Sequence, residues 1–408
     1  MNANMIVPEP VSGLEFSTHA DPAGSFRVFA PPDRYFVIPS MVRDLLQLID
    51  GKRTLEEISR LHGGQGHPAI DADSLHRLLR QNFSDLVIVE GSRPTERAAK
   101  SPMWFRVPVL SASAANRVGS AFSKLYQSSF LAVTSLLLLL LHLGFVFLKL
   151  PTLPSFTDPR LWVIPILVYT VSTLWHEVGH ISALRAYGQS PGAVGFGFYR
   201  MFPVMYSDVS RSWLLSQKQR VIVDLGGIYF HLIFAAACVV GYAFTQEIVW
   251  AQSAVLIYAG VLANLNPFLR LDGYWVASDL LDRSDLRKNS RHVLRAAVKG
   301  GQDSGESKWV RLYAWLSLGY FAWLAWWVGS RFIPRALAGV QELWGKLSTG
   351  SAGEGWLGHP VVLAGMILLL AFAMIGAVTL FVAGLRMVWF TFSPQSKPES
   401  QASAPEKG

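Results

Sequence analysis

The sequence predicts a polytopic α-helical membrane protein of about six spans, preceded by a small α+β, winged-helix-like cytosolic unit. Three observations carry that expectation. Of the 408 residues, 51% are apolar and the mean hydropathy is +0.31, too hydrophobic for an ordinary globular chain. The apolar residues gather into long runs after residue 129, most of them near the ~20 residues that cross a bilayer. The first 92 residues instead show short strand-like and amphipathic stretches of the kind that close a small core.

In chain order, residues 1–20 are a leading segment and residues 21–92 the winged-helix unit. Arg34-Tyr35-Phe36-Val37-Ile38 reads as a strand, Ser40 to Ile49 as a helix and Asp50-Gly51 as a turn. Thr54 with Glu57 three residues on is a capping box that opens a second helix. A third helix runs near Asp73 to Ser84, before the strand Leu86-Val87-Ile88-Val89. The helix that would enter a DNA groove carries His76, Arg77 and Arg80 but also Asp71, Asp73 and Asp85, a mixed face unsuited to phosphate. No nucleic acid partner is expected. Residues 93–128, rich in Pro, Ser and Arg from Pro94 to Ala115, are expected to form a linker. Residues 129–392 form the membrane part, and residues 393–408 a disordered tail.

The expected spans are 130–147, 161–183, 221–244, 248–262, 309–328 and 361–385. Arg93, Arg97, Lys100, Arg106, Arg117 and Lys124 precede the first span, against Glu96. The stretches from Arg185 to Arg220 and from Arg270 to Lys308 are also basic. Six spans with both termini and both basic loops inside satisfy the positive-inside rule, so the net charge of +8 reads first as a topology signal. Met1 to Ser17 lacks a charged region followed by an apolar stretch, so the N-terminal unit is expected in the cytosol. Cys238 is the single cysteine, which excludes an intrachain disulfide and a Cys-ligated zinc site.

His176-Glu177-Val178-Gly179-His180 closes the second apolar run. Residues four apart stack on one helix face, so both imidazoles can grip one Zn²⁺ while Glu177 reaches a metal-bound water. Histidines in a buried helix can also simply hydrogen-bond their neighbours, but a Glu between two His inside a span is costly unless it is used. A catalytic zinc needs a third ligand, and the best candidate is Asp272. The second and fourth spans run in the same direction, so their ends meet at one depth. Pro267 disfavours helix at Asn266, leaving irregular backbone that is tolerated only beside protein or a watery cavity; the alternative is that Asn266-Pro267 merely ends a helix and Asp272 is a solvated loop acid. In the third span, Asp224 and His231 share a face. His231 can stabilise a reaction intermediate or make a structural hydrogen bond. Gly226 and Gly227 let another helix approach closely. Residues 194–202 alternate with a period of two, either an exposed edge on which Phe196 and Phe198 would meet an extended substrate or an aromatic anchor at the membrane surface.

The His-Glu motif on one span, followed by Asn264, Pro267, Leu271, Asp272 and Gly273 on a later one, resembles the site-2 protease family of intramembrane zinc metalloproteases. That resemblance implies His176, His180 and Asp272 as zinc ligands, Glu177 as general base and Asn264 as a substrate-backbone or oxyanion partner. Phe268, Leu269 and Arg270 depart from it, since many members carry prolines there. The wording from Asn266 to Trp275, with Tyr206 to Ser210 upstream, is closer to the peptide zinc metalloprotease branch. The run from Ile49 to Ile58 resembles the PqqD-like peptide-recognition domain. Such a domain binds the leader of a ribosomally made precursor as an added strand, here beside Tyr35, Phe36 and Val37.

Together these resemblances imply an intramembrane zinc endopeptidase of the bacterial cytoplasmic membrane that matures a leader-bearing peptide, with the lipid bilayer as its other partner and no oligomeric state specified. Regulated cleavage of a membrane-bound signalling protein, or a non-catalytic membrane role in peptide export or immunity, are the alternatives.

Overall fold

A computed structural model describes residues 5–17, 20, 24–30, 34–68, 70–89, 103–150, 163–199, 202–283, 285–298 and 305–348, with a few positions between 378 and 389. The expected span at 361–385 lies almost entirely outside them, and the expected tail at 393–408 wholly so.

The N-terminal segment builds β1 (Glu9–Pro10), β2 (Glu15–Phe16), β3 (Ser25–Ala30), β4 (Arg34–Pro39), α1 (Ser40–Leu48), α2 (Leu55–Gly64), α3 (Ala72–Asn82) and β5 (Val87–Ile88). An antiparallel sheet runs β2-β3-β4, and β1 pairs with β5. Gly51 turns the chain with φ 74°, a conformation that glycine adopts without Cβ strain. The capping box forms. The Thr54 backbone N–H donates to Glu57 Oε2 (3.0 Å) and the Glu57 N–H to Thr54 Oγ1 (3.3 Å). Asp71 caps α3 through the Ser74 N–H at 2.8 Å. Val28, Leu45, Leu55, Ile58, Leu75 and Leu79 fill the core between sheet and helices.

The remainder is mostly helical. It comprises β6 (Met103–Leu110), α4 (Ala112–Phe122), a helical turn Ser123–Tyr126, α5 (Ser128–Gly144) widening through Phe145–Lys149, and α6 (Val163–Ala186). Then follow β7 (Val194–Tyr199), β8 (Phe202–Ser207), a helical turn Ser210–Leu214, α7 (Gln217–Thr245), α8 (Ile248–Asn264), α9 (Asp272–Leu280), α10 (Leu286–Val298), α11 (Lys308–Trp327) and α12 (Ile333–Ser348).

Among the described residues, two helices are long and apolar enough to cross a membrane, Ser128–Lys149 and Gln217–Thr245, and Ile248–Asn264 is a shorter apolar helix. The helices expected at 161–183 and 309–328 form as α6 and α11 but fall short of that measure, since α6 carries His, Glu and Arg and α11 is rich in Trp and Tyr. Leu136, Leu137 and Leu140 on α5, Ile164 and Leu167 on α6, and Trp315, Leu316 and Trp326 on α11 all point outward.

Two expectations are corrected. Where described, the stretch read as a linker, 93–128, is structured as β6 and α4. β7 is not an exposed edge. It lies in the middle of a three-stranded antiparallel sheet, paired with β6 on one side (Val107 opposite Phe196) and β8 on the other (Phe196 opposite Met205). Both sides of its backbone are therefore already paired.

Glycines set the spacing of the central helices. A Cβ on Gly226 would lie 2.8 Å from the Gly179 carbonyl, and one on Gly179 would meet the Gly226 carbonyl. α6 and α7 therefore touch backbone to backbone at this crossing, the geometry small residues allow. The buried Tyr126 hydroxyl donates to both carbonyls, at 2.9 Å to Gly179 and 3.2 Å to Gly226.

Candidate metal centre

His176 and His180 sit one turn apart on the buried side of α6, 6% and 5% exposed. α8 ends at Asn264, where Pro267 forbids its continuation. Asn266 then shapes the break, its Oδ1 accepting from the N–H groups of Phe268 (2.9 Å) and Leu269 (3.4 Å) while its Nδ2 donates to Tyr320 (2.9 Å). The chain doubles back, so that a Cβ on Gly273 would meet the Leu265 backbone. α9 therefore begins beside the end of α8, and its first residue, Asp272, meets the two imidazoles.

Three donor side chains converge there. Asp272 Oδ2 lies 3.0 Å from His176 Nε2, Asp272 Oδ1 lies 3.5 Å from His180 Nε2, and the two Nε2 atoms are 3.1 Å apart. Ligands held tetrahedrally at roughly 2.0–2.1 Å from a zinc ion are separated by about 3.3 Å. The set fits zinc in spacing and in type. Its tautomers fit as well: His180 Nδ1 lies 2.8 Å from the Val223 carbonyl, which can only accept, so Nδ1 carries the proton and Nε2 presents its lone pair. Asp272 Oδ2 is buried without an aligned hydrogen bond, the state of an oxygen positioned for a cation.

α7 supplies the support. Val223 fixes His180. A Cβ on Gly227 would strike the His176 ring and His180 Nε2. His231 Nδ1 lies 3.1 Å from His176 Nδ1. At 100° per residue, positions 220, 223, 227 and 231 fall within about 80° of one another, a single stripe facing the site. Of the two roles open for His231, the structure contains the hydrogen bond, made to the histidine ring itself.

Glu177 is 8% exposed beside the pair. Asn264 is half-buried as the last residue of α8, with its carbonyl 2.9 Å from a Cβ position on Gly273. Phe196 and Phe198 are half-buried on β7. In the N-terminal segment Tyr35 is buried, its ring 6.1 Å from that of Trp213, so it is engaged within the molecule. Phe36 is half-buried and Val37 is 60% exposed on edge strand β4. Sequence reasoning missed the roles of Val223, Asn266 and Tyr126. Only Asn266, beside a helix-breaking proline, carried a local signal.

No protein-family profile and no solved structure matches the chain. "Putative peptide zinc metalloprotease protein YydH" of Bacillus subtilis (strain 168) is 29% identical to it over 149 residues, 36% of this chain. The chain is a distant relative of that protein. It spans 58% of that relative's length. The chain thus combines a donor set that fits zinc with a distant similarity to a protein named for zinc proteolysis.

Proposed function

We propose that this chain is a membrane-embedded zinc endopeptidase that cleaves a ribosomally made precursor peptide whose leader is held by the N-terminal segment. The observation that carries the reading is the convergence of His176, His180 and Asp272 on one point, with Glu177 buried beside them. When bound, zinc supplies a Lewis acid that polarises the scissile carbonyl and acidifies a water. Glu177 would take a proton from the water that adds to the scissile carbonyl and return it to the amine as the peptide C–N bond breaks. His231 holds the His176 ring, the Val223 carbonyl holds His180, and Asn264 engages the substrate backbone.

The outward-facing leucines of α5 and α6 support a hydrocarbon setting. The basic stretches flanking the helices support a multi-pass arrangement in a bacterial cytoplasmic membrane with both termini in the cytosol. An extended peptide would add to the outer edge of β4 beside Phe36 and Val37, and near the centre to the outer edge of β6 or β8.

The decisive variant is Glu177→Gln. Its carboxamide keeps the shape of the site, so the purified protein should retain zinc yet lose cleavage of its cognate peptide by at least roughly a hundredfold, the scale of a general base. Undiminished turnover would refute the assignment.

A further inference from the structure

The N-terminal segment is seated on the helical part close to the short helix that carries Asp272. Phe29 and Tyr35 bury against Trp213 and Leu214, and Glu15 pairs with Arg211 at 2.7 Å. Beside this apolar contact the Arg27 guanidinium, 5.3 Å from the Trp213 ring, reaches Asp282 Oδ1 at 3.2 Å. Asp282 follows the C-terminal end of α9, ten positions after Asp272.

The backbone at Asp282 is unusual. α9 ends in a Schellman motif: the Arg283 N–H donates to Ser278 O (2.9 Å) and the Asp282 N–H to Asp279 O (3.1 Å). Asp282 takes the left-handed position with φ 50°, where glycine is the default and a side chain is strained. Among the described residues, only Gln246 shares this departure. A strained aspartate where glycine would relax points to a use for its carboxylate.

That carboxylate is shared. Arg220 on α7 donates from Nε to Asp279 Oδ1 at 2.9 Å and places Nη2 3.5 Å from Asp282 Oδ1. Arg220 and Asp279 have side chains only 3% exposed, so this is a buried pair in which an unbalanced charge is costly. With Arg27 present, two guanidinium groups face two carboxylates. Without it, Asp282 and Asp279 compete for Arg220, and the C-terminal end of α9 is left with its partners on α7 alone, Arg220 and Gln217.

Resting on the zinc reading of His176, His180 and Asp272, we propose that Asp282 is a positioning residue through which the docked N-terminal segment, by way of Arg27, holds α9 and thereby Asp272 at the metal. Arg220 lies one turn before Val223, whose carbonyl orients His180. One end of α7 therefore aligns both the third ligand's helix and one of the histidines. A peptide that shifts the seat of the N-terminal segment changes how tightly the metal is held, and by linkage the metal changes how the segment is seated.

The test is the rate at which the full-length, zinc-loaded protein in detergent yields zinc to a chromophoric chelator. Arg27→Met should speed release about three- to tenfold, less than the 10- to 100-fold typical of a ligand's direct partner. Arg27→Lys should restore most of the parental rate. Asp282→Gly should speed release by a similar factor although it relieves the left-handed strain. The double variant should be no faster than either single one, because both act through one contact. Arg43→Met, which removes an arginine stacked 3.8 Å over Phe26 within the same segment, should leave release unchanged. An unaltered rate in Arg27→Met, an equal acceleration in Arg43→Met, or multiplying effects in the double variant overturns the coupling while leaving the protease reading intact. A parent protein that binds no zinc overturns both.

Discussion

At Gly227 the space left by one missing methyl group is filled by two imidazole rings. Replacing a helical glycine by alanine ordinarily gains about 0.5–1 kcal/mol, whereas overpacking a rigid contact costs about 1–3 kcal/mol. The second effect wins here, because Val223 holds His180, His231 holds His176, and neither ring is free to retreat. Gly227→Ala should therefore lower Tm and bring zinc well below one ion per chain by elemental analysis. Parental zinc content in that variant would show that the rings can move. Asp272→Ala should lower zinc content in the same assay. The pentapeptide was legible from side-chain type and helical spacing, and Asp272 from the Pro267 break and the common direction of two spans. Val223 was not, since its contribution is a backbone carbonyl that any residue possesses.

Among the elements, the α6–α7 crossing depends on the Tyr126 hydroxyl, which satisfies two buried carbonyls at once. Tyr126→Phe removes that donor at nearly constant shape and should cost about 1–3 kcal/mol, read as a lower Tm in detergent. An unchanged Tm would mean that water takes the hydroxyl's place. Helices were largely readable: the Thr54–Glu57 box and the Asn266-Pro267 break lie within a few residues of their effects. The sheet was not. β6 pairs with β7 across 89 positions (Val107 to Phe196), and it lies in a stretch whose Pro, Ser and Arg content reads as a linker and includes Pro108. A proline is tolerated on an edge strand, and β6 is the edge. The placement of β7 at the centre followed from a partner that sequence periodicity cannot see.

Within the whole molecule, the N-terminal segment has an acid response of its own. The Arg43 guanidinium donates to Asp44, the Lys52 N–H to Asp50, and Ser74 to Asp71, each holding its carboxyl below the ordinary aspartate value of 3.8. Carboxylates lowered on folding contribute stability that is fully present above that value and lost as pH falls through their lowered ones. Protease resistance of residues 5–89 in the full-length protein should thus be flat between about pH 7 and pH 5 and decline below about pH 4. A decline beginning near pH 6 would instead implicate a histidine. The seating of this segment on Trp213 and Asp282 was invisible in the sequence, because Arg27 and its partner are 255 positions apart.

One feature of α7 reaches beyond the site. Arg220, Val223, Gly227 and His231 ride on a single stripe, so a slip of that rod by even one residue, roughly 100° of rotation, would withdraw every support together. A slip of that kind would leave neither histidine aimed, since the supports of both sit on the one helix. Such a shift of α7 would be read alike by a zinc chelator and by a spectroscopic probe placed on that helix far from the histidines.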